Sequence, residues 1–179
     1  MKKLAAFGIA SALLFASGCN QEAEPKKEET EKTETKEETV DVKTVLLDFQ
    51  MQLINTITPK QKAIAAYDNA VATVNDPETP ADQKPTPEEI EKLKADAIKA
   101  SQELAQDVKN VEIPAELDKH KEAIEAAIED LAKSYETRSK TLGGDVTEAD
   151  KLFNEFQTKM GKIFEEEGLL APDFLKSIS

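Results

Sequence analysis

The sequence predicts an all-α protein, an antiparallel up-and-down bundle of about four helices over residues 41–179. Two observations support this fold class. Apolar residues recur three and four positions apart over long stretches after residue 40, which is the spacing of one helix face. The connections at 111–113 and 143–146 are short, so successive helices are predicted to be antiparallel neighbours. About 140 residues are enough for one hydrophobic core.

The first predicted helix runs from Val42 to Val74 and contains Pro59. Its apolar residues stay near one face across the proline, which favours a single kinked helix. However, Thr58-Pro59-Lys60-Gln61 also has the pattern of a capping box that starts a new helix. We therefore expect this helix to be kinked or broken near Pro59.

The second predicted helix extends from Thr86 to Asn110, after a polar loop rich in proline. Its start is marked by an N-cap threonine at Thr86, a proline at Pro87 and a capping-box glutamate at Glu89. These three residues predict the helix boundary independently of the apolar spacing.

The third and fourth predicted helices follow the same rules. The third begins at Pro114 and ends at Gly143-Gly144, where glycine allows the left-handed backbone of a helix end. The fourth is capped by Asp145 or Thr147, and Gly168 is its expected end.

Residues 1–18 have the pattern of a secretory signal peptide. Lys2 and Lys3 precede an apolar run from Leu4 to Phe15, and small residues follow. The run has 12 residues, whereas a transmembrane helix needs about 20. This segment is therefore expected to be a signal rather than part of the fold.

The end of this segment, Ala16-Ser17-Gly18-Cys19, resembles the lipobox of bacterial lipoproteins, with Ala16 where leucine is usual. The resemblance covers only residues 1–19 and implies cleavage between Gly18 and Cys19, followed by lipidation of Cys19, with palmitate among the acyl groups. It also implies a cell-membrane location on the extracytoplasmic face. Two alternatives remain: an ordinary cleaved signal, or a cysteine that is free or forms an intermolecular disulfide.

Residues 19–40 are predicted to be a lipidated cysteine followed by a disordered tether. Between Glu24 and Thr39 only Pro25 is not Glu, Lys or Thr, so the segment cannot bury apolar area. A single charged helix is the competing interpretation. The long tether and the lack of a second cysteine favour a Gram-positive host.

The chain is strongly acidic, with a formal net charge of -13. Such a chain is repelled by phosphate backbones and by anionic lipid surfaces. Nucleic acid is therefore not expected as a partner, and the lipid is expected to supply the membrane affinity.

The sequence does not predict an enzyme. His120 is the only histidine, and we expect it on the surface between Lys119 and Lys121. A triad needs a histidine base beside its nucleophile, and zinc needs three or four ligands, which Glu116 and His120 do not supply. No catalytic residue, metal or cofactor is predicted.

Two groups of apolar residues have both a functional and a structural interpretation. The C-terminal segment either docks a partner or caps the bundle, and the candidate docking residues are Leu169, Leu170, Phe174 and Leu175. The second group consists of phenylalanine and methionine side chains on the first and last helices, which either line a ligand cavity or pack in the core. Its members are Phe49, Phe153, Phe156 and Met160. Arg138 and Lys121 are expected to pack their stems while their charges reach the bundle edge.

These observations lead to two functional hypotheses. The first is a lipid-anchored, monomeric bundle that binds an envelope protein or a wall component. The alternative is a carrier or sensor of a small apolar ligand held within the bundle.

Overall fold

The computed structural model describes residues 41–179, which form one helical bundle without strands. The predicted signal peptide, its cleavage site at Gly18 and Cys19, and the tether lie outside the described residues. The five α-helices are α1 (Val42–Asn75), α2 (Pro87–Asp107), α3 (Lys121–Thr141), α4 (Thr147–Glu166) and α5 (Phe174–Ile178). Three 3₁₀ turns cover Ala81–Gln83, Val108–Asn110 and Ala115–His120.

Helix α1 continues through Pro59 without a break, so the alternative of a new helix at that point is wrong. Thr58 does not cap a helix. Its hydroxyl instead donates a hydrogen bond of 2.8 Å to the carbonyl of Ile54, one turn back in the same helix. The apolar face that spans the proline keeps α1 intact, since Leu53, Ile57 and Ile64 are all fully buried.

The predicted start of α2 and the predicted glycine ends of α3 and α4 are confirmed, whereas α4 has Val146 at its N-cap instead of Asp145 or Thr147. Thr86 and Glu89 form a reciprocal capping box at the start of α2, and Pro87 is its first residue. Gly143 and Gly168 both have positive φ, at 84° and 70°, beyond the ends of α3 and α4. The third helix differs from the prediction, because the chain forms a 3₁₀ turn at Ala115–His120 before α3 begins.

The helices pack in the order of the sequence, with α1 against α2, α2 against α3 and α3 against α4. Helix α5 packs against α1, and the centroid of its Phe174 ring lies 4.7 Å from that of Phe156 in α4. Because α5 touches both α1 and α4, it lies at the seam between the first and last long helices.

Helix α1 is longer than α2 and extends past its end. Its 34 residues span about 51 Å, whereas the 21 residues of α2 span about 32 Å. Lys60 in α1 forms an ion pair with Asp107, the last residue of α2. The part of α1 before Lys60 therefore lies beyond the end of α2, and α1 also packs on the two 3₁₀ turns at 108–110 and 115–120 and on α5.

One continuous core joins all five helices and contains the buried aromatic and aliphatic side chains of each. A compact unit with its own core can fold without the preceding residues. We therefore treat residues 41–179 as an independently folding domain.

Candidate functional site

A cavity of about 290 Å³ lies at the seam of the bundle, between α1, α3, α4 and α5. Four helices contribute to it, and its lining includes both polar and apolar side chains. We call it the seam cavity. Its lining residues are Gln61 from α1, Ser134, Tyr135 and Arg138 from α3, Asp150, Phe153 and Asn154 from α4, and Leu175 and Ile178 from α5.

The α3 wall of the seam cavity is fixed by hydrogen bonds to neighbouring helices. Ser134 is buried, and its hydroxyl donates a bond of 2.7 Å to the carbonyl of Ala149, near the start of α4. Tyr135 is also buried, and its hydroxyl donates to Oε1 of Gln61 at 3.2 Å. Burial raises the pKa of the Tyr135 hydroxyl well above its ordinary value, so this group stays neutral and remains a donor.

Two charges in the seam cavity neutralise each other. Arg138 of α3 forms an ion pair with Asp150 of α4, and only 17% of the Arg138 side chain is exposed. This placement confirms that the Arg138 stem packs while its charge reaches the bundle edge. The pKa of Asp68 in α1 is raised, mainly by partial desolvation. The charge of Arg138 lowers this pKa and the charge of Asp150 raises it.

The predicted cavity residues are divided between the core and the seam cavity. Phe49, Phe156 and Met160 are buried in the core and do not line the cavity. Phe153 lines it and packs edge-on against Phe156, with ring centroids 5.7 Å apart. The polar lining residues were not predicted to form a site, because they meet only across three helices.

The C-terminal segment is likewise divided. Phe174 and Ile178 are buried and close the seam, whereas Leu169 is half-buried. Leu170 is 93% exposed, and Leu175 is 53% exposed while also lining the seam cavity. The segment thus contributes both a cap and exposed apolar side chains.

Exposed apolar side chains are concentrated on two elements that touch. Of the five large apolar side chains that are exposed in residues 41–179, two lie on the first half of α1 and two on the C-terminal segment. Helix α5 of that segment packs against α1. We call these four the apolar set: Leu47, Met51, Leu170 and Leu175. The fifth, Val74, lies at the other end of α1.

His120 is buried, so the prediction of a surface histidine is wrong. Its Nε2 lies 2.5 Å from Oε1 of Glu167, and its Nδ1 lies 3.6 Å from Oε2 of Glu166. Lys119 donates a bond of 2.7 Å to the same Glu167 oxygen. Hydrogen bonds from Lys119 and His120 hold the pKa of Glu167 below its ordinary value. Lys121 is exposed, which corrects the expectation that its stem packs.

Neither a membrane span nor a metal cluster is found in the part of the chain that the structure describes. No helix there is long and apolar enough to cross a bilayer, and no group of three or more potential ligand side chains is arranged to hold a metal. In comparisons with protein-family models, curated proteins and solved structures, the chain matches none of them.

Proposed function

We propose that this chain is a membrane-anchored, extracytoplasmic lipoprotein whose helical bundle binds another component of the cell envelope. The observation that carries the proposal is the position of Cys19, directly after a short apolar segment and three small residues. Each buried CH₂ of an attached acyl chain contributes about 0.8 kcal/mol to membrane binding, so two chains anchor a protein stably.

The anchor is tested by labelling growing cells with an alkyne-bearing fatty acid and purifying the chain. We expect label on the native chain and on Ser17→Ala, but none on Cys19→Ala, which lacks the acceptor sulfur. Release of Cys19→Ala from the membrane fraction would accompany the loss of label. A native chain that is recovered unlabelled from the medium would refute the anchor.

The apolar set supports the binding role. Leu170 and Leu175 follow α4 closely in sequence, while Leu47 and Met51 lie near the start of α1. Lys43 also lies near Gly168, which brings the beginning of α1 beside the end of α4. A contiguous exposed apolar patch is typical of a surface that a partner covers, and the apolar set places its side chains on two elements that pack together.

A double variant that introduces two carboxylates tests this surface. We expect Leu47→Glu combined with Leu170→Glu to abolish a crosslinked adduct that the native chain forms in intact cells, because a carboxylate is costly to bury. Val74→Glu is the control, since Val74 is exposed at the far end of α1. An adduct that persists in the double variant would contradict the proposal.

The class of partner follows from how the adduct is degraded. An adduct whose size a muramidase leaves unchanged identifies an envelope protein, and an adduct whose size a muramidase reduces identifies a wall component. Circular dichroism of each variant shows whether the bundle is still folded.

The second candidate function is a carrier or sensor of a small ligand within the bundle. The seam cavity favours it, because polar and apolar side chains from four helices converge there. The two candidates are compatible, since the cavity and the apolar set share only Leu175.

A further inference from the structure

We infer that the seam cavity binds a small, uncharged amphipathic molecule, with its polar end at the amides of Gln61 and Asn154 and its apolar body against Phe153, Leu175 and Ile178. The inference deepens the second candidate function. It depends neither on the lipid anchor nor on the binding role of the apolar set, which are tested by separate experiments.

The preference for an uncharged ligand follows from the ion pair. Arg138 and Asp150 form an ion pair, so the two opposite charges of the lining offset each other and neither is left as a free counter-charge for a ligand. Desolvating a charged ligand without a free counter-charge is costly.

The polar end of the ligand is defined by two amides. The Tyr135 hydroxyl donates to Oε1 of Gln61, which leaves the NH₂ group of Gln61 without a protein partner among residues 41–179. The side chain of Asn154 likewise makes no hydrogen bond within the described bundle, and Asn154 is exposed at the cavity wall. An amide can donate and accept, so a carbonyl or hydroxyl of the ligand would be recognised here.

The apolar body is accommodated by three apolar side chains that also line the cavity, Phe153, Leu175 and Ile178. Phe153 and Ile178 are almost fully buried, and Leu175 is 53% exposed. A ligand lying against Leu175 would cover apolar surface that is otherwise in water. The volume of about 290 Å³ is near the lower end of known ligand pockets, roughly 300 Å³, which restricts the occupant to a small molecule.

The charge preference is tested with fluorescent probes that share one aromatic skeleton. Residues 20–179 are titrated with neutral N-phenylnaphthylamine and with its sulfonate, anilinonaphthalene sulfonate. A naphthylmethylammonium salt is then tested as a competitor. We expect saturable one-site binding of the neutral probe, with both charged compounds weaker by about tenfold or more. Equal binding of the charged compounds, or no saturable binding of the neutral probe, would overturn the inference.

The location of the bound probe is tested by closing the cavity. Asn154→Phe places a ring at the exposed edge of the seam cavity. Thr158→Phe is the control, because Thr158 lies one turn further along the exposed face of α4. We expect Asn154→Phe to weaken neutral-probe binding by about tenfold or more, and Thr158→Phe to leave it unchanged. Unchanged binding in Asn154→Phe would place the probe elsewhere, on the apolar set for example, and would refute the site. Thermal melts establish that both variants are folded.

The role of the amide is tested with Asn154→Leu, which removes the hydrogen-bonding group while keeping a similar volume. Naphthol and naphthalene are compared as competitors of the neutral probe. On the native chain naphthol is expected to compete several-fold better, and in Asn154→Leu this advantage should shrink, since one hydrogen-bonding side chain of the cavity is missing. A native chain that does not distinguish the two compounds would refute the assignment of the polar end.

Discussion

His120 shows how a local pattern can mislead at the scale of one residue. Two flanking lysines indicate an exposed position, yet the 3₁₀ turn at 115–120 directs the imidazole inward, towards a glutamate that is 47 residues away in sequence. No local signal reports such a pairing. The Glu167 carboxylate is hydrogen-bonded to Nε2 of the buried imidazole, and the Glu166 carboxylate lies 3.6 Å from Nδ1, so this polar ring is not buried alone.

We predict that Glu167→Gln lowers the thermal midpoint at neutral pH and that this difference fades in acid. The pKa of Glu167 is lowered in the folded chain, so its charged form stabilises the fold at pH values above the ordinary pKa of 4.5. This contribution is lost as the pH falls below 4.5 and through the lowered folded value. Thermal melts of both proteins between pH 7 and pH 3, in steps of about half a unit, measure the effect.

Glu166→Gln is the matched control for Glu167. Its side chain is 66% exposed and lies 3.6 Å from Nδ1 of His120, so its substitution should have a smaller effect. If the thermal midpoints of the native chain and Glu167→Gln moved further apart as the pH falls, the assigned direction of the Glu167 pKa change would be wrong.

At the scale of one element, α1 shows which signals dominate. A proline and a capping-box pattern both indicate a break at residue 59, but the buried apolar face extends from Leu46 to Tyr67 and outweighs them. The helix keeps a proline in its interior, where the missing N–H and the ring contact are unfavourable.

We therefore predict that Pro59→Ala raises the free energy of unfolding by about 1–3 kcal/mol, since alanine restores the missing hydrogen bond and favours the helix. Pro59 is exposed, so the substitution leaves no cavity in the core. Denaturant unfolding measures the change. A destabilised Pro59→Ala would mean that the packing of α1 depends on a bend at the proline.

Helix α5 is short, yet it closes the seam with two buried side chains. We predict that Phe174→Ala lowers the free energy of unfolding by about 3–4 kcal/mol, because a fully buried ring that packs on Phe156 is removed. Leu170→Ala is the control and should change little, as Leu170 is 93% exposed. Chemical denaturation measures the free energy of unfolding of both variants. A larger loss in Leu170→Ala than in Phe174→Ala would show that α5 does not cap the bundle.

At the scale of the whole molecule, the sequence predicts the helical bundle but does not predict the seam cavity. The capping residues Thr86 and Glu89 and the glycines 143 and 168 act locally, so they could be read from the chain. The cavity depends on how far α1 lies from α4 and on where α5 rests. These distances are set by packing between residues such as Gln61 and Tyr135, which are 74 positions apart.

The charge of the whole chain leads to a prediction about membranes. Loss of Lys2 and Lys3 with the predicted signal would change the formal net charge from -13 to -15. We predict that unlipidated residues 20–179 do not sediment with vesicles rich in phosphatidylglycerol. Lowering the salt should weaken any association further, since the repulsion is then less screened. Sedimentation that increases at low salt would reveal an attractive basic surface and contradict this prediction.

The extension of α1 past α2 has a mechanical consequence. Tension that reaches the bundle from its amino-terminal side would act first on the turns of α1 before Lys60, whose neighbours are two 3₁₀ turns and the five-residue α5. Detachment of that part of α1 would separate α1 from α5 at the seam, while the longer contact between α1 and α2 remained intact. A stretched chain would thus yield in two stages, with the shorter contacts giving way before the longer ones.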